Sequence, residues 1–371
     1  MRKAIVIGCD VGGLGVIRSL GIKGFKVLAL SYDRTDFGNA SKYVYKSVRI
    51  PHPRREEKDF VDFLIRNSHI WKEALILESN DDIAVSLSKN KDYLSKFYKI
   101  VTPDWEILKR FIYKSETYRL SEKCGVPYPR TFHPVSYDEI CKLSDEITYP
   151  CIVRPVLGQE FMNEFNSKNF KVNDKHELLS RYTLCLKKGH DTLLQEIIPG
   201  PDSNLYRMMM YINSRGVANA KFLLRRIRQA PPQFGFTRVG TSYTRISQVE
   251  EFTEKILREA DFRGFAEAEF KLDPRDNKLK LIEINVRMVK TNWLATYCGV
   301  NFPWTIYMDL VEDKQIEAID YKEDVYWIDL YQDILNSIFR HNKEDFVLSL
   351  PEGILHLYHP QNLNKSSSYI S

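Results

Sequence analysis

The sequence has no long apolar run, no paired cysteine motif and no large excess of charge of one sign. Its apolar stretches are far shorter than the roughly 20 residues that a membrane-spanning helix requires, so we expect no membrane span. The six cysteines are scattered, which argues against a zinc site and favours reduced thiols in a cytoplasmic protein. Lys and Arg number 54 against 49 Asp and Glu, and the resulting net charge of +5 does not indicate nucleic acid as a partner.

What is present fits an ordinary globular protein with more than one domain. The 371 residues suffice for two or three domains, and 43% hydrophobic with 28% charged residues is a usual composition. The stretch MRKAIVIGCD begins like a signal peptide but reaches Gly8 and Asp10 before an apolar core is complete. It therefore predicts a strand rather than an export signal.

Residues 1–104 predict a Rossmann-like α/β domain. KAIVIG (3–8) and KVLALSYD (26–33) are buried-strand patterns separated by a glycine turn and a helix, which together form a βαβ unit of a parallel sheet. Further alternation of helix and strand patterns, up to the short strand YKIVTP, continues the order of a doubly wound fold.

The remaining chain predicts helices mixed with antiparallel strands, in three parts. The expected parts are residues 105–195, with a helix over 106–124 and a cationic strand over 149–156; residues 196–310, with a hairpin over 264–287; and residues 311–371, with a helix near 326–340 and a polar, disordered tail.

The stretch LIEINVR (281–287) carries the strongest chemical signal. With a strand period of two, one face is mostly polar and the other holds only branched apolar side chains. The polar face is Leu281, Glu283, Asn285 and Arg287, and the apolar face is Ile282, Ile284 and Val286. The turn residues DPRDNK precede this strand, and a turn centred near Asp276 places Glu269 opposite Glu283.

Two carboxylates that oppose each other destabilise a sheet unless a cation lies between them. Because Glu and Asn oxygens suit Mg²⁺, we predict that Glu269, Glu283 and Asn285 bind one or two Mg²⁺ ions, with Mn²⁺ as a substitute. Arg287 then faces the anionic group that reacts. Taken alone, the motif also fits a solvated face whose carboxylates pair with Arg and Lys.

With this hairpin, the chain from about residue 3 to 340 resembles the ATP-grasp superfamily. Four further stretches carry the resemblance: YKSETYRLSEKCGVPYPRTF (113–132), similar to the first-lysine helix; YPCIVRPVLG (149–158), similar to the P-x-x-x-K-P strand; LLQEIIPGPD (193–202), similar to the hinge that stacks on adenine; and RRIRQAPPQFGFT (225–237), similar to an R-x-x-P-x-x-F-G segment. The last indicates the branch of carboxylate–amine ligases that includes D-aspartate ligase. The resemblance implies an ATP-grasp fold, in which two α+β subdomains follow an N-terminal Rossmann-like domain.

The resemblance also implies roles for single residues around the nucleotide phosphates. Lys114 matches the lysine that reaches the phosphates, and Arg154 stands where the family has a second lysine, so a planar guanidinium replaces an ammonium. Many members follow this strand with a glycine-rich loop. Here the segment has a single glycine, which leaves Lys168 and Lys171 as candidate phosphate contacts.

By the same resemblance, Gln195, Glu196 and Ile198 would present backbone groups to the adenine base, and Asp202 would bind the ribose hydroxyls. Three arginines are expected at the reacting groups: Arg287, Arg226 and Arg228. Arg226 and Arg228 share one face of an alternating strand, which suits anion binding in a cleft. Solvated charge and a nucleic-acid patch are the other interpretations of this run.

The function implied is ATP-dependent ligation of a carboxylic acid to an amine through an acylphosphate, with ATP and Mg²⁺ as cofactors, small-molecule substrates such as D-aspartate, and a homodimer as the default assembly. Carbamoyl-phosphate-synthase-like or carboxylase chemistry on the same fold is one alternative. Another is a dinucleotide-dependent oxidoreductase or a non-catalytic nucleotide-binding protein. GCDVGGLG (8–15) has the wrong glycine spacing for a dinucleotide fingerprint, although Asp33 is placed for a ribose.

Overall fold

The computed structural model describes residues 3–230, 233–330 and 333. Its first domain is built on a parallel sheet. Its elements are β1 (Lys3–Ile7), α1 (Val11–Gly21), β2 (Lys26–Ser31), β3 (Val44–Arg49), α2 (Glu57–Arg66), α3 (Ser68–Trp71), β4 (Leu75–Glu78), α4 (Asp81–Lys89), α5 (Lys91–Leu94) and β5 (Lys99–Ile100). The strand order is β3-β2-β1-β4-β5, and every pairing within it is parallel. The predicted parallel sheet is confirmed.

The central strands are buried on both faces, as parallel strands usually are. In β1, Ala4 and Val6 pack into one apolar core while Ile5 and Ile7 pack into the other. The strand β3 lies at the edge of the sheet, and most of its side chains are exposed. Because it lacks a clear apolar pattern, the sequence did not predict it.

The glycines of VGGLG lie inside α1 and not in a turn before it. A Cβ atom on Gly13 would lie 1.9 Å from the backbone oxygen of Gly8, so the helix starts directly against the end of β1. Gly8 has a φ of +79°, which favours glycine. These glycines therefore allow a close approach of helix and strand at the carboxyl edge of the sheet.

A small antiparallel sheet follows in the chain. The elements of this part are α6 (Trp105–Ile112), α7 (Lys114–Lys123), β6 (Thr131–Phe132), α8 (Tyr137–Glu146), β7 (Cys151–Pro155), α9 (Gly158–Phe165), β8 (Phe170–Val172), α10 (Lys175–Lys187) and β9 (Thr192–Glu196). The strand order is β6-β9-β7-β8. The helix predicted over 106–124 is two helices, because Tyr113 has the extended backbone conformation and Lys114 starts a new helix.

The third sheet is larger and also antiparallel. Its part of the chain contains β10 (Leu205–Ile212), β11 (Ala218–Ala230), β12 (Phe236–Ser242), α11 (Ser247–Glu259), β13 (Gly264–Asp273), β14 (Lys278–Asn285), α12 (Asn292–Cys298), α13 (Phe302–Leu310) and β15 (Tyr326–Ile328). The order is β14-β13-β10-β11-β12-β15. One face shares a core with the first domain and with α12 and α13, since Val16, Met209 and Ile306 belong to one apolar cluster.

The helix predicted near 326–340 is wrong at its start. Tyr326–Ile328 is a strand that pairs antiparallel with β12, which agrees with the preference of aromatic and β-branched residues for strands. The rest of that predicted helix, apart from Asp333, and the predicted polar tail lie outside the described residues. Within the described part of the chain, no helix is long and apolar enough to cross a membrane.

Candidate active site

A cleft of about 1000 Å³ is lined by residues from all three sheets and their helices. Its wall includes Asp81 from the first domain, Arg154 from the small sheet and Glu283 from the large sheet. Most residues predicted for the site line it: Lys114, Arg154, Lys168, Lys171, Gln195, Glu196, Ile198, Arg226, Glu269, Glu283, Asn285 and Arg287. The fold thus brings together side chains from separate motifs.

The strands β13 and β14 form the predicted hairpin. Glu269 lies opposite Glu283, and Glu267 lies opposite Asn285. The predicted pairing of Glu269 with Glu283 is therefore confirmed. Directly opposed residues of an antiparallel pair project to the same face, so these polar side chains form one patch at the cleft.

The predicted alternation in β14 is wrong at one position. The pairing passes over Ile282, which forms a β-bulge between Leu281 and Glu283. Leu281 is consequently buried in the apolar core together with Ile284 and does not belong to the polar face. Ile282 lines the cleft instead.

Glu283 lies among cations. Nη2 of Arg154 is 3.9 Å from its Oε2 atom, and the ammonium groups of Lys114 and Lys168 also act on its charge. Burial raises the pKa of Glu283, but these cations outweigh the burial and hold the pKa at about 2. Burial in turn lowers the pKa of Lys114 to about 8, and that of Lys168 likewise to about 8.

The guanidinium of Arg154 is held by two neutral groups. Its Nη1 donates to Oη of Tyr118 at 2.9 Å and to Oε1 of Gln195 at 2.8 Å. Oη of Tyr118 donates onward to the backbone oxygen of Ile282 at 2.9 Å. A hydrogen-bond chain therefore connects Arg154 in the small sheet to the bulge beside Glu283. The sequence did not predict the part played by Tyr118.

Arg226 is anchored on the cleft face of the large sheet. Its Nη2 donates to Oε2 of Glu269 at 2.5 Å, its Nη1 donates to Gln229 at 2.7 Å and its Nε donates to Thr237 at 3.0 Å. A charge-assisted bond to a carboxylate combined with two neutral bonds fixes the guanidinium plane.

A second ion pair lies next to this one. Arg207, which pairs with Glu269 across β10 and β13, contacts the fully buried carboxylate of Glu267. Burial raises the pKa of Glu267, and Arg207 opposes that rise. Sequence reasoning missed Arg207, although strand alternation on β10 could have placed it on the same face as the predicted carboxylates.

Arg287 connects the hairpin to the first domain. Its Nε donates to Oδ1 of Asp81 at 2.8 Å, and its Nη2 lies 3.3 Å from Oδ1 of Asn285. Asp81 is in the first turn of α4, so the first domain helps to orient this guanidinium. Sequence reasoning missed Asp81, and no local pattern could have indicated it, since it is far from Arg287 in the chain.

Two predicted site residues do not line the cleft. The pairing of β11 with β12 shifts between Arg226 and Arg228, so these arginines do not share the face that strict alternation predicted. Arg228 instead forms an ion pair with Asp333. Asp202 accepts hydrogen bonds from the backbone nitrogen and the side-chain nitrogen of Gln229, at 3.0 and 2.7 Å.

The end of β9 and the segment that follows it form another part of the wall. Gln195, Glu196 and Ile198 line the cleft, and the backbone oxygen of Ile198 accepts from Nζ of Lys271 at 2.8 Å. The Glu196 carboxylate accepts from Nη2 of Arg275 at 2.7 Å. The backbone of this segment is therefore held against β13 and the hairpin turn.

Two lysines from around β8 also reach the cleft. Nζ of Lys168 lies 3.6 Å from the ring centroid of Phe236 and 3.4 Å from the backbone oxygen of Gly235. Lys171 lies on β8 opposite Ile152 and is exposed. The contact of Lys168 with Phe236 joins the small sheet to the large one.

The cleft offers oxygen donors that fit a hard divalent cation. The described residues contain no group of three or more His, Cys, Asp or Glu side chains with metal-binding geometry, so the candidate set is two carboxylates and a carboxamide. Glu283 is ionised, Glu269 lies opposite it, and Asn285 follows on the same face. Oxygen donors of this kind suit Mg²⁺ when substrate phosphates complete the coordination.

Comparison with known proteins agrees with this arrangement. No family model matches the chain. It is 24% identical over 340 residues to D-aspartate ligase of Enterococcus faecium, which covers 85% of this chain and 78% of that enzyme. It superposes on ADP-bound N5-carboxyaminoimidazole synthetase from Staphylococcus aureus with a TM-score of 0.70 at 14% identity, over 92% of this chain and 86% of that one. For L-amino acid ligase from Bacillus licheniformis the TM-score is 0.64 at 15% identity, over 85% and 75%.

The structural similarities confirm the expected fold, because they extend over 85% and 92% of this chain. The similarity to D-aspartate ligase extends over most of both chains and agrees with the branch that the motifs indicated. The chain has the ATP-grasp fold and is similar in sequence to a ligase of the carboxylate–amine branch.

Proposed function

We propose that this protein joins a carboxylic acid to an amine in an ATP-dependent reaction that proceeds through an acylphosphate. The observation that carries the proposal is the opposed pair Glu269 and Glu283, which faces a cleft rich in cations. Two opposed carboxylates suit a metal–nucleotide complex, and the positive charge of Lys114, Arg154 and Lys168 around Glu283 suits phosphates. Bound ADP in a protein of the same fold supports ATP as the energy source.

Each group has a proposed task in nucleotide binding. Lys114, Arg154 and Lys168 contact the phosphates, with Lys171 at the outer edge of the cleft. The backbone of Gln195, Glu196 and Ile198 faces the adenine base. Since the carboxylate of Asp202 is already bound to Gln229, ribose binding by Asp202 would require these hydrogen bonds to open.

Glu269, Glu283 and Asn285 would hold Mg²⁺, which supplies positive charge at the phosphates when it is bound. Arg226 already neutralises Glu269, so cation binding would draw that carboxylate partly away from the arginine. Glu283 is available as a ligand, because it is ionised and its contact with Arg154 is long, at 3.9 Å. We propose one or two Mg²⁺ ions at these three residues.

The chemistry needs no protein nucleophile. A carboxylate oxygen of the acid attacks the γ-phosphorus, the bond to the β-phosphate oxygen breaks, and ADP leaves. The amine nitrogen then attacks the acyl carbon, the bond to the phosphate oxygen breaks, and inorganic phosphate leaves while the nitrogen loses a proton to solvent. Arg287, oriented by Asp81, faces the reacting carboxyl group and stabilises the oxyanion. Catalysis is positioning and electrostatic stabilisation.

An amino acid is the proposed acid. D-Aspartate is the first candidate, because the similar enzyme from Enterococcus faecium is a D-aspartate ligase. A cytoplasmic location and a homodimer are also proposals. Carboxylation is the second candidate function, because N5-carboxyaminoimidazole synthetase gives a higher TM-score than the L-amino acid ligase does. The two functions differ in whether bicarbonate or another carboxylic acid is activated.

The test is ADP release with Mg²⁺ and ATP across a panel of amino acids and small carboxylic acids, with hydroxylamine as the amine. Acid-dependent hydroxamate that is lost in Glu283→Ala, but kept in the exposed helix variant Glu251→Gln, would support the ligase. ADP release that depends only on bicarbonate would favour carboxylation. Failure to bind ATP at all would overturn both.

A further inference from the structure

Most cations that line the cleft already have a partner inside the protein. Arg226 is bound to Glu269, Arg287 is bound to Asp81, and Nζ of Lys271 donates to the backbone oxygen of Ile198. These partners fix the three cationic groups in the wall and compensate part of their charge before a substrate arrives.

Lys290 differs from these cations. It lines the same cleft and is half-buried, yet its ammonium forms no hydrogen bond or ion pair with any residue of the described ranges. Its contact is with the face of Phe236, whose ring centroid lies 5.0 Å from Nζ. Burial lowers the pKa of Lys290. A half-buried ammonium without an anionic partner is costly, which suggests that a ligand supplies the partner.

The position of Lys290 indicates which ligand this is. Its backbone nitrogen would lie 3.6 Å from a Cβ atom on Gly12, so it is next to the start of α1 in the first domain. The charged groups that act on its ammonium are Asp10, Arg238, Asp329 and Arg287, whereas Glu283 acts on Lys114 and Lys168. Lys290 is therefore on the side of the cleft next to the first domain, and it shares the ring of Phe236 with Lys168, one of the proposed phosphate contacts.

We propose that Lys290 binds a second anionic group of the acid substrate, so that this enzyme selects acids with two negatively charged groups. The inference rests on the proposed ligase function. One carboxylate must lie at the γ-phosphate in order to react, and it is not available to Lys290. The other group does not react, and a compact ammonium with three donors suits a carboxylate, sulfonate or phosphate.

The experiment compares matched pairs of acids that differ only in this charge: aspartate with asparagine and glutamate with glutamine, each as both enantiomers. Hydroxamate formation and ADP release give kcat and KM for each acid and KM for ATP. For the wild-type protein we expect kcat/KM to be about tenfold or more higher for a dicarboxylic acid than for its amide, since a lost charge-assisted hydrogen bond has roughly this effect.

In Lys290→Gln we expect KM for the dicarboxylic acid to rise about 10- to 100-fold, while KM for ATP and the rates with the amides stay within about twofold. Lys290→Arg keeps the charge and should recover part of the loss. Lys142→Gln, an exposed lysine on α8, is the matched control and should behave like the wild type. Thermal unfolding of all variants shows whether each one folds.

Three results would overturn the inference. The wild type could use the amides as well as the dicarboxylic acids, Lys290→Gln could leave KM for every acid unchanged, or it could raise KM for ATP and so identify Lys290 as a phosphate contact. In each of these results the ligase function itself still stands. If the wild type releases no ADP with any acid, the proposed function fails and the inference fails with it.

Discussion

Arg154 and Tyr118 form a buried hydrogen bond in which Nη1 of the arginine donates to the phenolic oxygen at 2.9 Å. The same hydroxyl donates to the backbone oxygen of Ile282 at 2.9 Å. The small sheet and the carboxylate hairpin are therefore connected through one tyrosine. An ammonium is a compact point charge, whereas a guanidinium can bond Tyr118 and Gln195 and still direct Nη2 toward Glu283. This network gives a physical reason for arginine at the position where the family has lysine.

The first prediction concerns this network. Tyr118→Phe removes a bond to a charged group, worth about 1.5–3 kcal/mol, and leaves Gln195 as the one neutral group that still holds Nη1 of Arg154. We expect KM for ATP to rise about tenfold or more, with a smaller change in kcat. Arg154→Lys keeps the charge but loses the planar guanidinium that bonds Tyr118 and Gln195, so it should show the same pattern. Steady-state kinetics at several ATP concentrations measure both, and an unchanged KM for ATP in the two variants would remove Arg154 from the nucleotide site.

The two arginines of β11 give the second prediction, because they look alike in sequence and differ in structure. Arg226 lines the cleft beside Glu269, whereas Arg228 is bound to Asp333. We expect Arg226→Gln to lower kcat/KM by about 100-fold or more, as the loss of a positioned donor does, and Arg228→Gln to lower it by less than about threefold. Arg228→Gln should instead lower the thermal midpoint, since it breaks a partly buried ion pair. Equal losses of activity in both variants would contradict this placement.

The metal set gives the third prediction. Removal of divalent cations with a chelator should abolish ADP release, and Mg²⁺ or Mn²⁺ should restore it. Asn285→Ala should raise the Mg²⁺ concentration needed for half-maximal rate about tenfold, while Glu283→Gln should abolish turnover, since it removes the ionised ligand. Glu251→Gln, exposed on α11, serves as control. If Asn285→Ala and Glu283→Gln keep the wild-type metal dependence, the hairpin carboxylates are a structural ion-pair network.

Sequence reasoning was most successful where the information is local. The pairing of Glu269 with Glu283 follows from the turn residues and a strand period of two, and the structure contains this pair. The bulge at Ile282 and the register shift before Arg228 are not local, because a bulge depends on how a strand fits its neighbours. Each one moves a side chain to the other face.

Contacts between distant parts of the chain could not be predicted either. Asp81 orients Arg287, and Asp333 binds Arg228, yet neither carboxylate is near its arginine in sequence. The bond from Tyr118 to the Ile282 carbonyl is of the same kind. Such pairs form only after the sheets have packed, so patterns in a single sequence carry no signal for them. The sequence therefore predicted the residues of the site but not the residues that hold them in position.

The last prediction concerns pH. In the protein without nucleotide, burial lowers the pKa of Lys114 and that of Lys168 to about 8, so both ammonium groups lose their charge as the pH rises through 8. Because kcat/KM reports the free enzyme, kcat/KM for ATP should fall above pH 8, about tenfold for each pH unit and for each lysine that must be protonated. A double variant, Lys114→Arg with Lys168→Arg, keeps its charge and should be nearly flat between pH 7 and 9.5.

Stability should change in the opposite direction over the same range. An unfolded lysine has a pKa of about 10.4, so between pH 8 and that value the folded state binds fewer protons than the unfolded state. The free energy of unfolding should therefore rise with pH there, while kcat/KM for ATP falls. Chemical denaturation at several pH values measures the first quantity and initial rates measure the second. A kcat/KM that stays constant to pH 9.5 in the wild type would show that neither lysine needs its proton for ATP binding.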